Sequence, residues 1–95
     1  MQEQRTTRAG RPRGAKTFEA GPALAFGLAV RARRLEIQLS QEALAHAAQV
    51  ERSHLGKIER GEHMPNLVLI FRLASALEIA PGALVDRAAK LMQDG

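Results

Sequence analysis

Residues 39–61 read LSQEALAHAAQVERSHLGKIERG, and this stretch predicts two short helices joined by a tight turn. Ser40 is a favourable N-cap because its hydroxyl can accept a backbone N–H that the first turn of a helix leaves unpaired. We therefore expect the first helix over residues 41–48. The second helix is predicted over residues 52–60, because Gly61 follows it and glycine is the residue type that most often ends a helix.

The apolar residues of this stretch determine how the two helices meet. Ala45 and Ala48 are small enough to let the second helix cross the first closely, and Val50 in the turn can close the corner. Leu55 and Ile58 lie three positions apart, so they share one face of the second helix and can pack it onto a core. This arrangement is a helix-turn-helix, and it leaves the opposite face of the second helix exposed.

That exposed face carries Arg52, Ser53 and Lys57 within about 1.4 helical turns. A DNA major groove is wide enough to admit an α-helix, where arginine can donate two hydrogen bonds to a guanine and serine can serve several base edges. Gln41 opens the first helix of the pair, where its side chain and the unpaired backbone N–H groups can hold a phosphate. Without the surrounding pattern, a polar helix face of this kind is most often simply solvated.

Three more helices are predicted around this motif. The first occupies residues 22–37, where Pro22 suits the first turn and leucines recur at three- and four-residue steps. Asn66 can cap a helix over residues 67–77, and Pro81 can open a last helix. Much alanine and leucine and few β-branched runs favour helices over strands. The sequence therefore predicts an all-α domain of five helices.

The spacing of apolar residues predicts which positions face the core. On the first helix, the stripe at three- and four-residue steps consists of Leu24, Leu28, the alkyl part of Arg31, Leu35 and Leu39. On the fourth helix, the predicted inward residues are Leu67, Ile70, Phe71, Ala74 and Leu77. On the last helix, the apolar residues that could complete the core or form a surface between two copies are Leu84, Val85, Ala88 and Leu91.

The excess positive charge lies entirely in the first 17 residues. The chain carries 14 Lys and Arg against 10 Asp and Glu, a net charge of +4. Residues 1–17 hold five of the basic groups and one acidic group, so the domain predicted over residues 18–92 is close to neutral. Because residues 1–17 show no apolar periodicity, we expect a disordered basic arm. Such an arm suits nucleic acid, but it also suits an acidic partner or a merely solubilising tail.

Within this arm, residues 9–14 read AGRPRG, which is similar to an AT-hook, an extended segment that places arginines in an A·T-rich minor groove. A narrow minor groove has an enhanced negative potential that attracts arginine, so Arg11 and Arg13 are candidates for such contacts. For so short a motif, the alternatives are non-specific attraction to phosphates and no role in DNA binding.

Other functions find little support in the residues. The chain has no cysteine, which excludes disulfides and cysteine-ligated zinc. His46, His54 and His63 do not follow a spacing common among helical metal ligands, so we expect neither a metal nor a cofactor. There is no glycine-rich phosphate loop and no nucleophile beside a base, and we therefore do not expect an enzyme. No apolar run reaches the ~18 residues of a membrane helix and none reads as a signal peptide, so a cytoplasmic, nucleoid-associated protein is expected.

Residues 31–79 read RARRLEIQLSQEALAHAAQVERSHLGKIERGEHMPNLVLIFRLASALEI, and they resemble the phage-repressor and Cro-type helix-turn-helix family, also called the XRE family. The resemblance rests on LSQEALA, a hydrophobic residue in the turn, L-x-K-I-E-R-G, PNL and LASAL at the family's spacing, and it covers residues 26–85. It implies a lambda-repressor-like DNA-binding domain of five helices. It also implies a protein that usually acts as a homodimer on a pseudo-palindromic operator.

The resemblance further implies roles for individual residues. The positions that contact bases and line the groove are Arg52, Ser53 and Lys57. The positions that contact the DNA backbone are Gln41 and Arg60. Apart from the resemblance, His54 is expected to lie beside the groove or near a phosphate and not to bind a metal. The positions that form a partly buried ion pair between the first helix and the end of the third are Arg34 and Glu59.

Three residues depart from the family pattern. Gln38 and Gln49 stand where the family often has glycine, at the end of the first helix and before the hydrophobic residue of the turn. Glu51 stands where serine or threonine usually caps the next helix; glutamate is a poorer cap, although its charge suits a helix N-terminus. Its carboxylate would repel nearby phosphates, or it could accept a hydrogen bond from a cytosine N4.

The resemblance and the charge pattern together predict a sequence-specific, homodimeric transcriptional regulator, most consistent with a repressor, whose partner is double-stranded DNA. The alternative is an interaction module built on the same fold. Such modules are the DNA-binding antitoxin of a toxin–antitoxin pair, a restriction–modification controller, and a subunit of a larger transcription assembly. In those cases a toxin or the transcription machinery would be a further partner.

Overall fold

The computed structural model describes residues 20–94, and in that range it contains five α-helices and no β-strand. The helices are α1 (Ala20–Glu36), α2 (Gln41–Ala48), α3 (Arg52–Glu59), α4 (Leu67–Ala76) and α5 (Pro81–Asp94). The predicted all-α fold of five helices is confirmed. The basic arm predicted over residues 1–17, with Arg11 and Arg13, lies outside the described residues.

Side-chain caps start two of the helices where the sequence predicted them. The Ser40 hydroxyl accepts a hydrogen bond from the Ala43 N–H at 2.9 Å and begins α2. The Asn66 side-chain oxygen accepts one from the Leu69 N–H at 2.9 Å and begins α4. Each cap satisfies a donor that the first helical turn would leave unpaired, which contributes about 1 kcal/mol per cap.

Two of the residues that depart from the family pattern, Gln38 and Gln49, adopt the left-handed backbone conformation, with φ of 59° and 60°. After Gln49, the Val50 N–H donates to the Ala45 carbonyl oxygen at 2.9 Å, which closes α2 and directs the chain into the turn. Glycine reaches this conformation without a Cβ clash. The backbone therefore explains why glycine is common at these two positions of the family.

The core is built by apolar residues from all five helices. Its largest fully buried side chains are Val30 of α1, Leu44 of α2, Leu55 and Ile58 of α3, Leu73 of α4 with Leu77 at its end, and Leu84 of α5. Ala45 and Ala48 are also buried, and α2 packs against both α3 and α4. Because α1 packs against α3 and α4 packs against α2, the helix-turn-helix is supported from two sides.

The predicted inward stripe of α1 is wrong for three of its leucines, whereas Leu39, after the end of the helix, packs partly against the core. Leu24, Leu28 and Leu35 are 49%, 52% and 51% exposed. The helix instead buries the face that contains Gly27, where an added Cβ would lie 2.7 Å from the Glu59 carbonyl oxygen. Only glycine permits this approach of α1 to the end of α3, and the approach selects the buried face. Since α1 is apolar on several sides, spacing alone could not distinguish the two faces.

The predicted core residues of α4 are partly wrong. Ala74 and Leu77 are buried, but Leu67 and Phe71 are 62% and 52% exposed. Leu73, which the prediction did not include, is fully buried. The first five residues of α4 are all apolar, so their spacing does not define a single inward face. The result is an exposed apolar surface at the start of this helix.

The apolar residues of α5 divide between the core and the surface. Leu84 and Ala88 are buried, whereas Val85 and Leu91 are exposed. Leu84 and Ala88 therefore belong to the core, and of these four residues only Val85 and Leu91 remain exposed for contact with a second copy.

Polar contacts connect α1 to its neighbours at the surface. The Arg33 guanidinium donates to the carbonyl oxygens of Leu77 and Glu78 at 2.9 and 3.0 Å, which holds α1 to the end of α4. Arg87 of α5 pairs with Glu36 at 2.8 Å, and the hydrogen bond from Arg87 lowers the pKa of the Glu36 carboxyl. These contacts close the bundle around the core.

Among residues 20–94, no single helix is long and apolar enough to cross a membrane. By length and composition alone, α4 and α5 together would be long and apolar enough to cross a membrane. The two helices are bent by 103° at the break between them.

Candidate DNA-binding surface

The helix α3 turns one face to the core and the other to solvent. Leu55 and Ile58 are fully buried, and this fixes the rotation of the helix about its own axis. Arg52, Ser53 and Lys57 are exposed. The structure therefore brings the three residues predicted to contact bases onto one accessible surface.

The start of α3 has no side-chain cap. Glu51 occupies the N-cap position with an extended backbone (φ −69°, ψ 144°), but its carboxylate makes no capping hydrogen bond. The side chain is exposed next to Arg52. A negative charge thus lies at the end of α3 where a positive charge is predicted to contact a base.

A buried ion pair joins α1 to the end of α3. Arg34 Nε lies 2.7 Å from Glu59 Oε2, and Arg34 Nη2 donates to Glu59 Oε1 at 3.0 Å. The Arg34 Nη1 donates to the Leu39 carbonyl oxygen at 3.0 Å. The hydrogen bond to Glu59 raises the pKa of Arg34. With the Glu59 side chain only 3% exposed, this bidentate pair is shielded from water and competing salt.

The same carboxylate positions Gln41 at the start of α2. Gln41 Nε2 donates to Glu59 Oε1 at 3.1 Å. Because a side-chain amide has two N–H donors and a carbonyl oxygen, Gln41 keeps one donor and one acceptor for another partner. The buried ion pair therefore orients a side chain that is predicted to contact the DNA backbone.

Gly56 lies beneath the side chains of Gln41 and Arg60. A Cβ added at Gly56 would lie 3.0 Å from Arg60 Nη1 and 3.9 Å from Gln41 Nε2. A Cβ here would press on the end of the Arg60 side chain but would be in ordinary contact with Gln41, so glycine at position 56 leaves room for Arg60. The sequence pattern assigned no role to this glycine.

Arg60 is already paired in the free protein. Its Nε and Nη2 donate to Glu62 Oε2 and Oε1 at 3.0 and 3.2 Å. This hydrogen bonding lowers the pKa of the Glu62 carboxyl, with a further contribution from the charge of nearby Lys57, and it raises the pKa of Arg60. The sequence pattern did not indicate Glu62, because its contact with Arg60 depends on the turn after α3.

Two histidines meet beside the exposed face of α3. The rings of His54 and His63 are 4.5 Å apart in an edge-to-face arrangement. His54 Nε2 is buried without a hydrogen-bond partner among the described residues. The two rings line a cavity of about 330 Å³ together with Glu51, Ser53 and Lys57. Within residues 20–94 no group of three or more candidate ligands could hold a metal ion.

The exposed charges of the helix-turn-helix are balanced. Over residues 41–62 the exposed basic side chains are Arg52, Lys57 and Arg60, and the exposed acidic side chains are Glu42, Glu51 and Glu62. The fourth acidic residue of this range, Glu59, is buried against Arg34. The surface that carries the predicted base contacts therefore has no excess positive charge of its own.

Comparison with known proteins places this surface in a family. A helix-turn-helix family model matches residues 30–84, more than half of the chain. The restriction-modification controller protein C.AhdI from Aeromonas hydrophila is 42% identical with a TM-score of 0.64, over 65% of this chain and 94% of that chain. The clp gene regulator ClgR from Corynebacterium glutamicum is 26% identical with a TM-score of 0.74, over 76% of this chain and 77% of that chain.

The same fold occurs at lower sequence identity. The restriction-modification controller protein C.Esp1396I is 19% identical with a TM-score of 0.74, over 81% of this chain and 100% of that chain. No curated protein matches the chain.

The family match spans the whole motif, from the second half of α1 through α2, the turn and α3 to the start of α5. The exposed polar face of α3 and the fold of the structural relatives agree with it. The chain belongs to the phage-repressor and XRE-type helix-turn-helix family, and it is a DNA-binding transcriptional regulator.

Proposed function

We propose that the protein is a sequence-specific repressor that binds a pseudo-palindromic operator as a homodimer. The observation that supports this most directly is the exposed face of α3, where Arg52, Ser53 and Lys57 lie opposite the buried Leu55 and Ile58. A helix held in this way can enter a major groove with its polar face toward the bases. In a homodimer, two such helices enter successive grooves about one helical turn apart.

We assign the contacts to the DNA backbone to residues that flank this face. Gln41 and Arg60 converge above Gly56, and both offer N–H donors of the kind that bind a phosphate oxygen. His54 lines the same surface beside α3. In the arm, Arg11 and Arg13 would enter an A·T-rich minor groove next to the operator.

The exposed apolar surface of α4 is the best candidate for the dimer interface. Leu67, Val68 and Phe71 are 62%, 57% and 52% exposed, although the spacing of α4 predicted that Leu67 and Phe71 would be buried. A two-fold contact would place this surface against the same surface of a second copy and remove it from water.

Selection of bound sequences from random DNA tests the proposed function. A homodimer should enrich a palindrome whose half-sites lie about one helical turn apart. Enrichment of A·T pairs beside it would support the contacts assigned to the arm. A single unrepeated site would overturn the homodimer, and no enrichment at all would overturn sequence-specific binding.

Replacing Arg52 with alanine should weaken binding to the selected operator by about 1–3 kcal/mol, because a bidentate contact to one guanine is lost. Binding to random DNA should change much less, and the preference at one base pair should relax. Fluorescence anisotropy with the operator and its single-base variants measures both effects. Lys90→Ala on α5 removes one exposed positive charge away from α3 and serves as the control. Equal losses on operator and random DNA would contradict the base contact.

Replacing Phe71 with glutamate should raise the dimer dissociation constant by about 100-fold or more, because the two-fold contact would place two like charges opposite each other. Analytical ultracentrifugation measures the change, and circular dichroism checks that the helices are intact. Leu28→Glu places the same charge on the exposed face of α1 and should leave the dimer unchanged. If Leu28→Glu dissociates the dimer and Phe71→Glu does not, the interface lies on α1 and not on α4.

A second candidate role is the control of restriction–modification genes. It is favoured by the 42% identity to C.AhdI over 94% of that controller protein. The operator found by selection should then occur upstream of restriction or modification genes. Its absence from such promoters would exclude this role and leave the proposed DNA binding intact.

A further inference from the structure

The contact between Arg60 and Glu62 has the geometry of an arginine–phosphate contact. Both oxygens of the Glu62 carboxylate accept hydrogen bonds from the same guanidinium, from Nε at 3.0 Å and Nη2 at 3.2 Å. Arginine binds carboxylates and phosphates through the same planar fork of donors. A DNA phosphate that binds Arg60 through this fork therefore needs the place that Glu62 occupies.

We propose that Glu62 acts as an internal competitor of the DNA backbone: it holds Arg60 in the free protein, is displaced by a phosphate in the complex, and so lowers the affinity for all DNA sequences. This inference rests on the proposed role of Arg60 in contacting the backbone. It gives Glu62 a function in tuning affinity and not in reading bases.

The position of Glu62 does not depend on its ion pair. The Glu62 N–H donates to the Lys57 carbonyl oxygen at 2.8 Å, and Gly61, with φ of 76°, shapes the turn between them. The backbone therefore holds residue 62 beside the end of α3 whatever its side chain. An exchange of that side chain should change the charge of the surface without changing its shape.

The exposure of the pair fits a contact that is made and broken. The side chains of Arg60 and Glu62 are 59% and 54% exposed, so water and salt reach both of them. Ion pairs of this kind contribute little to stability. The buried pair of Arg34 and Glu59 joins α1 to the end of α3, whereas the exposed pair of Arg60 and Glu62 is free to exchange partners.

Glu62 also influences a second predicted contact. The positive charge of Lys57 contributes to the lowered pKa of the Glu62 carboxyl, which places this ammonium within the field of the carboxylate. Glu62 therefore offsets positive charge at two of the three exposed basic residues on this surface. Its removal should strengthen phosphate attraction at the C-terminal end of α3.

The test compares Glu62→Gln with Glu78→Gln, which removes one exposed negative charge from the turn after α4. Binding of the selected operator and of random DNA is measured by fluorescence anisotropy at several salt concentrations. Glu62→Gln should raise the affinity for both DNAs by a similar factor, about three- to tenfold near 0.1 M salt. It should also steepen the plot of log affinity against log salt by up to about 0.9, because the wild-type carboxylate, once displaced from Arg60, takes up a cation that offsets part of the counterion release. Glu78→Gln should change neither quantity appreciably.

A double-mutant comparison separates competition for Arg60 from a general charge effect. In the Arg60→Ala background, the gain from Glu62→Gln should fall to the smaller effect that acts through Lys57, well below the gain in the wild-type background. Glu62→Asp keeps the charge and should remain close to the wild-type protein in affinity and salt dependence. A gain from Glu62→Gln no larger than the control, or a gain of undiminished size without Arg60, would overturn the inference while the DNA-binding function stands. Absence of DNA binding by the wild-type protein would overturn the proposed function and this inference together.

Discussion

Replacing Glu59 with alanine is expected to lower the free energy of unfolding by about 3–5 kcal/mol. The substitution leaves the Arg34 guanidinium in a buried position without the carboxylate that accepts two of its hydrogen bonds. It also removes the acceptor of Gln41. Small domains have a total stability of about 5–15 kcal/mol, so the loss is a large fraction of the whole. Urea unfolding followed by circular dichroism measures it.

The double variant Arg34→Met/Glu59→Leu provides the control for this experiment. Replacing both charges by apolar side chains of similar length removes the unpaired charge, so most of the stability should return. A loss of less than about 1 kcal/mol in Glu59→Ala would place this pair in the range of exposed ion pairs and contradict its structural role.

Deletion of residues 1–16 is expected to have the largest effect on DNA binding. The deleted segment carries five basic groups and one acidic group, whereas the exposed charges of the helix-turn-helix are balanced. If three of the five basic side chains contact phosphates, the negative slope of log affinity against log salt becomes shallower by about 2.7. The affinity in 0.1 M salt then falls roughly 10²- to 10³-fold. Fluorescence anisotropy over a range of salt concentrations measures both changes.

The variant Arg11→Ala/Arg13→Ala separates the two modes of contact proposed for the arm. Contacts in a minor groove should make this variant lose affinity mainly on operators with A·T-rich flanks. Attraction to phosphates alone should give the same loss on every flank. An unchanged salt slope after deletion of residues 1–16 would show that the arm does not contact DNA.

The sequence predicted the helices because local chemistry decides them. The side chains of Ser40 and Asn66 cap their helices through contacts three residues away, and such contacts can be read from the chain. Gly61 follows the end of α3, where it adopts a positive φ of 76°. These features act over three or four residues, which is the range that sequence patterns describe well.

The buried faces of α1 and α4 depend on distant parts of the chain, and so the sequence did not predict them. Both helices carry apolar residues on more than one side, and spacing cannot choose among such sides. For α1 the choice follows from Gly27, whose missing side chain allows the backbone of α3 to approach. Phe71 stays exposed because α4 turns Leu73 and Ala74 to the core.

The candidate site likewise combines features that the sequence predicts with features that depend on the folded chain. The exposed face of α3 could be predicted, because the buried Leu55 and Ile58 define the opposite side of a short helix. The contact between Arg60 and Glu62 could not be predicted, because residues two positions apart do not face each other on a helix. The two side chains meet only because the chain turns after α3. The contact between Gln41 and Glu59 joins residues 18 positions apart and requires the folded arrangement of α2 and α3.

The close packing of α1 on α3 also fixes the point from which the arm extends. Leu24, near the start of α1, lies against Gly61 at the end of α3, and Gly27 packs against the Glu59 backbone. On the proposed function, the arm and α3 would act as a bivalent ligand whose two parts share one anchor. Once α3 has engaged its site, the arm would meet neighbouring DNA at an effective concentration on the order of millimolar, the range typical of two binding modules joined by a short segment. Weak individual arm contacts then suffice to lengthen the lifetime of the complex.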